Sequence, residues 1–318
     1  MTSTILLFIV ALAGMWLASG LVVRGVERVA DALRISQFTI AFLLLGLLTS
    51  ISEMSVGANA VAQGTPGVFV GNLIGGSFVL LTLIIPFLAV THRGLNLAEH
   101  LDGRKLWLFL VLLFAPSLVA LDGNVGRAEA VLLILLYSAF VVVFYRRAGF
   151  LNHLRINRPD RRVMTLAVGE VLVGAAIIAV TGHVLVDETV AFAGFLGVPA
   201  LLVSLFLLSI GTNLPEFTLA IRSLVTKRTD IAFGDYIGSA AANSLLFGIF
   251  TLISGPFHLD TAGVNLPLLT IALGYILYYL FARSGRRVST SEGIGLIAIF
   301  ALFLVIQMIE ILIVSPIL

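Results

Sequence analysis

The sequence predicts an all-α integral membrane protein of ten transmembrane helices, arranged as two five-helix repeats of inverted topology. Three observations carry that prediction. The chain is 59% hydrophobic and 11% charged, where a soluble domain carries about 25% charged residues; its mean hydropathy is +1.12. Apolar runs long enough to cross a bilayer as helices recur along its whole length. A short motif built around a glutamate occurs twice, in segments that cross the membrane in opposite directions.

The spans are read in order at about 4–23, 36–62, 68–91, 106–121, 128–145, 164–186, 198–222, 231–254, 264–282 and 293–315. The first apolar run has no basic residue ahead of it, which argues against a cleaved signal peptide. No stretch looks like a separate soluble domain. The chain divides into residues 1–145, a basic linker at 146–163, and residues 164–318. Every Lys and Arg except Arg127 follows an odd-numbered span, from Arg24 after the first to Arg287 after the ninth. The positive-inside rule makes those loops cytoplasmic. Both termini then lie outside, with the central linker in the cytoplasm, in the plasma (inner) membrane. The same clustering accounts for a pI of about 9.1 with no appeal to nucleic acid. There is no cysteine, so disulfides, thiolate metal sites and cysteine nucleophiles are excluded.

Slide the chain along itself until Glu53 lies over Glu216. "LLTSISEMSV" (47–56) then covers "IGTNLPEFTL" (210–219), with Thr49 on Thr212. With no gap, "VGNLIGG" (70–76) covers "FGDYIGS" (233–239). Two motifs at one spacing in both halves, running in opposite directions, give a transporter architecture with its site at the midplane between the repeats. A charge at the bilayer centre costs about 3 kcal/mol or more. Gly211 and Pro215 loosen the helix beside Glu216, so carbonyls around Thr212 and Asn213 are expected to lose their partners. Broken backbone at that depth is tolerated only against protein or a water-filled cavity. Carbonyls, side-chain oxygens and two carboxylates converging there suit a hard cation such as Ca²⁺, which takes about 6–8 oxygens.

The following helices extend this pattern. Asp235, Ser239 and Asn243 are four apart and share one stripe of span eight; the equivalent stripe of span three is Asn72, Gly76 and Leu80. Asp235 is read either as a ligand or as a helix N-cap. Gly71, Gly75, Gly76, Gly234 and Gly238 allow close helix approach.

The "GTNLPEF" and "GDYIGS" segments resemble the α-repeats of the sodium/calcium exchanger family, in the cation/calcium antiporter superfamily. That family reads G-T-S-L-P-E and, further on, G-N-x-x-G-S-N in each repeat, and the resemblance covers essentially the whole chain. It implies that Glu53 and Glu216 are the central Ca²⁺ ligands. It implies oxygens from Thr49, Ser50, Thr212 and Asn213, and further ligands at Ser239 and Asn243. Spans one and six would slide across the other helices to give alternating access. The chain departs from the pattern at Leu48 (family glycine), Ser52 (proline), Gly76 (serine) and Leu80 (Asn or Asp) in the first repeat. In the second, Asn213 replaces a serine, while Asp235 and Ala240 replace asparagines. The site is lopsided, and the family's ion stoichiometry does not carry over.

The function expected is secondary antiport of Ca²⁺ for Na⁺, with Ca²⁺/H⁺ antiport as the alternative. Its partners are the lipid bilayer and small cations; no cofactor, nucleic acid or obligatory protein partner is expected. Glu170 is read as a pathway residue or a paired carboxylate, and Glu310 as snorkelling from a helix end. No H-E-x-x-H occurs among the five histidines, so a zinc protease is unsupported. An intramembrane hydrolase lacks a nucleophile or metal motif. A channel would build its filter from rings of carbonyls or repeated subunits.

Overall fold

A computed structural model describes residues 2–33, 50–96, 103–145, 161–226, 229–284 and 287–315. They are overwhelmingly helical. In chain order the helices are α1 (Thr2–Leu33), α2 (Ile51–Ala62), α3 (Pro66–Val79), α4 (Ile85–Thr91), α5 (Gly103–Ala120), α6 (Arg127–Tyr145) and α7 (Arg161–Leu196). After these come α8 (Ala200–Val203), α9 (Ser209–Thr212), α10 (Leu214–Thr226), α11 (Thr229–Ser254), α12 (Asn265–Ser284) and α13 (Thr290–Val314). Among the described residues, eight stretches are long and apolar enough to cross a membrane. The fifth expected span corresponds to α6. Of the second, expected at 36–62, α2 and the turn before it are described, and the remainder lies outside the described residues.

Two spans are longer than expected. The sixth, read as 164–186, is the 36-residue α7, which carries Asp187 and Glu188 inside the helix. It continues because Val190–Leu196 is again apolar. It stops where Gly197 adopts φ +66° and Val198 N–H reaches back to Ala193 O at 3.1 Å, the left-handed C-terminal closure that glycine permits. The first span, read as 4–23, is the 32-residue α1. At 1.5 Å per residue these helices run to about 48 and 54 Å, well beyond a hydrocarbon core of about 30 Å, so they tilt or project from it.

The single helices expected for spans three and seven are each interrupted. Wider π turns at Leu80–Ile84 and Ser204–Leu208 break into them. Such turns have no propensity signature and gather at functional sites.

Burial grades widely among the helices. Most of the stretch Pro66–Thr91 is buried, while most of Val163–Leu196 is not. α1 and α7 present Leu6, Leu17, Leu172 and Val180 outward, as expected of surfaces that face lipid acyl chains. They pack on each other at backbone distance: a Cβ on Gly25 would meet Ala167 O at 2.7 Å, and one on Gly174 would meet Ala18 O at 2.8 Å. At one end an ion pair joins them, Arg28 Nη1 to Glu170 Oε1 at 2.9 Å. Glu170 is therefore the paired carboxylate of the two readings. Glu310 does not snorkel: it is buried, with its carboxylate against Gly263.

The two halves are tied at both ends by two-residue antiparallel ladders. Leu95–Asn96 (β1) pairs with Arg287–Val288 (β4), and Asn124–Val125 (β2) with Phe257–His258 (β3). In the centre the Ser77 hydroxyl donates to Ala240 O, 163 residues along the chain. That is the offset between Glu53 and Glu216.

Glycine replacements on α7 test the close contact. Gly169 has nothing near an added Cβ, whereas Gly174 meets Val22 at 2.7 Å. Both gain helix propensity on becoming alanine. Gly169→Ala is expected to be neutral or slightly stabilising, and Gly174→Ala to lower the unfolding midpoint in detergent by about 5 °C. Thermal size-exclusion assays of the two purified variants read the difference.

Candidate ion-binding site

Both glutamates sit just after a helix break. Ser50 precedes α2 with φ −68°, ψ 8°, and Asn213 separates α9 from α10 with φ −90°, ψ 9°. The two turns have nearly the same shape, and each carboxylate follows by three residues, Glu53 in the first turn of α2 and Glu216 in that of α10. A helix N-terminus carries partial positive charge from its unpaired N–H groups, so a carboxylate is stabilised there. Pro215, at the second position of α10, has no N–H to lose.

The backbone at the break is more satisfied than the sequence suggests. Asn213 O accepts from Phe217 N–H at 3.1 Å, Ser50 O accepts from Met54 N–H at 2.8 Å, and Gly211 O accepts from Asn213 N–H. These carbonyls are not freed. The break supplies redirected side chains instead.

Several of those side-chain oxygens remain unsatisfied. Glu53 is 2% exposed and Glu216 1% exposed. Glu53 Oε2, both Glu216 carboxylate oxygens, Asn213 Oδ1 and Asn243 Oδ1 are buried with no hydrogen-bond partner. Oxygens buried this way cost free energy unless something donates to them or coordinates them. The buried charged side chains among the described residues are all acids: Glu53, Glu216, Asp235 and Glu310. Glu53, Glu216 and Asp235 are near enough to repel one another. A cation answers both needs. Among the described residues no three His, Cys, Asp or Glu converge tightly enough to hold a metal by themselves, so neutral oxygens must complete any shell.

The amides are aimed by their nitrogens. Asn213 Nδ2 donates to Ser209 O at 2.8 Å, and Asn243 Nδ2 donates to Ser77 Oγ at 3.1 Å. Anchoring each NH₂ group turns its oxygen toward the site. The Thr212 hydroxyl donates to Asn72 Oδ1 at 2.9 Å, which leaves its oxygen lone pairs available. Tyr236 donates to Glu216 O at 3.1 Å and braces α10 against α11.

The expected residues thus gather. Ser50, Thr212, Asn213, Glu216, Ser239 and Asn243, like Glu53, are each buried, and Thr49 lies outside the described residues. Asp235 is not an N-cap, because it is wholly buried and six residues inside α11. The sequence reading gave no role to Ser77 and Ser209, and placed Asn72 on a stripe without a partner. Ser209 stands four residues before Asn213, a spacing that brings them onto one helix face; nothing local links Thr212 to Asn72 or Asn243 to Ser77.

The family model described as Sodium/calcium exchanger protein matches residues 3–146 and again 166–309. The chain is 26% identical to the putative antiporter CaxA of Alkalimonas amylolytica, over 87% of this chain and 90% of that one. It is also 26% identical to the sodium/calcium exchanger MaX1 of Methanosarcina acetivorans, over 96% and 98%. Among solved structures, an H⁺/Ca²⁺ exchanger CAX superposes with TM-score 0.75 at 16% identity, over 98% of this chain and 85% of that one. The sodium-calcium exchanger NCX_Mj, soaked with Na⁺ and Sr²⁺, superposes with TM-score 0.66 at 20% identity, over 95% and 97%.

Ser77→Ala tests the aiming of Asn243. It removes the acceptor of Nδ2 and leaves the ligand oxygen in place. One hydrogen bond contributes about 1 kcal/mol, so the half-saturating cation concentration is expected to rise about 5-fold with expression unchanged. An isotope-flux titration of the reconstituted variant measures it.

Proposed function

The chain belongs to the sodium/calcium exchanger family and is a multi-pass membrane antiporter, and on that premise we propose that it exchanges Ca²⁺ for Na⁺ by alternating access at the Glu53–Glu216 site. The observation that carries this reading is the pair of buried carboxylates placed alike after matching helix breaks, with one oxygen of Glu53 and both of Glu216 unpartnered, near unpartnered amide oxygens and with no buried basic side chain among the described residues. Ca²⁺ bridges them, with Asn213 and Asn243 side-chain oxygens, the Ser50, Ser239 and Thr212 hydroxyls and Thr49 as the remaining ligands. Asp235 adds negative potential beside them. The Ca²⁺ charge suits two carboxylates, and the oxygen count approaches its preferred 6–8.

The ten spans form two inverted halves, residues 1–145 and 164–318, joined by the cytoplasmic linker 146–163, with both termini outside the plasma membrane. Three features support it: the repeated family match, the ladders joining the halves at both ends, and the matching turns at Ser50 and Asn213. The exchanged ions are substrates, and the reaction needs no cofactor and no protein partner.

Exchange of Ca²⁺ for H⁺ is the second reading. The fold likeness to the H⁺/Ca²⁺ exchanger favours it, as does the chemistry, since a carboxylate takes a proton as readily as a metal. Ca²⁺ uptake into proteoliposomes loaded with Na⁺, K⁺ or acid, compared side by side, decides the counter-ion.

Two outcomes test the site itself. Glu53→Gln and Glu216→Gln keep shape and remove charge, and each is expected to abolish Ca²⁺ flux at normal expression; wild-type flux in either removes that residue from the site. Protons must leave the carboxylates before Ca²⁺ binds. Apparent Ca²⁺ affinity is therefore expected to fall as pH is lowered through the range where the pair takes up protons. A flat profile from neutral to acid pH counts against a two-glutamate site.

A further inference from the structure

The start of α5 and the end of α12 meet at the basic end of the molecule, and they carry a cluster that the ion site does not use. Trp107, in the second turn of α5, packs its ring edge-on against Tyr279 of α12, with centroids 6.1 Å apart. One turn further along α12, the Arg283 guanidinium lies over the Tyr279 ring, 6.0 Å from its centroid, and Nη1 donates to Tyr279 Oη at 3.5 Å. That contact uses one of five N–H donors. Among the described residues no carboxylate pairs with Arg283. The next acid along the chain, Glu292, is engaged by Ser289 N–H, Ser289 Oγ and Ser284 Oγ. α5 has no acid in its first turn, where it carries Arg104 and Lys105.

The surface below this cluster is apolar and exposed. Trp107 is 56% exposed, and Leu280, Ile276 and Leu273 continue outward-facing down α12. With Arg283 they are spaced three, four and three residues apart, which places them on one stripe. From Arg283 to Leu273 is about 15 Å along the helix, half of a hydrocarbon core of about 30 Å. A cation and two aromatic rings at headgroup level, above an apolar track one leaflet deep, follow the order of groups in a phospholipid. At the other end of α12 the preceding loop, 258–264, holds Asp260 and no Lys or Arg. The pattern belongs to one leaflet only.

We infer that this α5–α12 corner binds one anionic phospholipid of the leaflet at the basic end. Its phosphate sits on Arg283, and its glycerol and acyl chain lie on Trp107, Leu280, Ile276 and Leu273. The planar fork of an arginine matches two phosphate oxygens. A zwitterionic headgroup also has a phosphate, but its own ammonium offsets the attraction, so the corner selects for net negative charge.

Trp107 reports on its own neighbour. Lipids brominated on the acyl chain quench an indole they touch, so quenching in mixed proteoliposomes gives the relative binding of two lipids beside it. The chain has two tryptophans, and Trp16→Phe leaves Trp107 alone; if that variant does not fold, the Trp107→Phe signal is subtracted from wild type. Brominated phosphatidylglycerol is expected to be preferred over brominated phosphatidylcholine about 5-fold, the effect of one basic side chain at an anionic surface. Arg283→Gln is expected to bring the ratio to about one. Arg24→Gln, an exposed basic residue after the first span, is expected to keep it and so controls for diffuse surface charge. A wild-type ratio near one, a ratio that survives Arg283→Gln, or an equal loss in Arg24→Gln overturns the inference.

Discussion

The structure is organised around two carboxylates held where a membrane protein can least tolerate charge. Burying Glu53 and Glu216 without basic partners is costly in lipid or in protein. The fold mitigates this cost in three ways. Each glutamate is placed in the first turn of a helix, where N–H groups face it. Neutral oxygens from Asn213 and Asn243 are turned inward, so that a cation can complete the arrangement. The surrounding helices are drawn close by glycine: Gly71 and Gly75 of α3 lie against the backbone at Leu201 and Leu205. A cation bound between them would relieve the remaining instability. A site satisfied without its ion would have little reason to bind one.

Repetition explains how such a site arises between elements, and asymmetry explains how it is tuned. A break followed by a carboxylate is used twice, and the two turns agree within about 25° in φ and almost perfectly in ψ. The helices that follow have diverged. Gly76 of α3 and Leu80 of the π turn Leu80–Ile84 that follows it stand where α11, which runs on unbroken, carries serine and asparagine. Polar ligands have collected on one side of a two-fold plan.

Much of this was legible in the sequence because it is written in short-range chemistry. Apolar run length gave the spans, and the repeated motif gave the glutamates and their breaks. Glu53, Glu216, Thr212, Asn213, Ser239 and Asn243 are each buried. What could not be read was set by contacts across the chain. The anchoring of Asn243 by Ser77 spans 166 residues, and the pairing of Arg28 with Glu170 spans 142. The π turns leave no propensity signal. The extension of α7 past residue 186 was missed because Asp187 and Glu188 looked like a loop, whereas on a long helix at the membrane boundary they remain half-buried or exposed.

Alternating access requires one plane along which helices move, and the contacts suggest where it lies. α1 and α7 meet through Gly25 and Gly174 at backbone distance, and Arg28 with Glu170 adds an ion pair at one end. Separating these two helices would expose interlocked backbone, so they form one unit. Their contacts to the helices around the glutamates combine close packing, Gly182 against Ser55 and Leu12 against Gly211, with polar links. Ser19 meets Ser52 at 3.2 Å, Trp16 donates to Thr218 at 2.6 Å, and Ser55 donates to Ile178 O at 3.0 Å. Each such link contributes about 1 kcal/mol and is exchangeable for an equivalent one after a shift. Two of them touch residues beside the carboxylates: Ser52 adjoins Glu53, and Thr218 lies two residues after Glu216. These polar links therefore run next to the two glutamates.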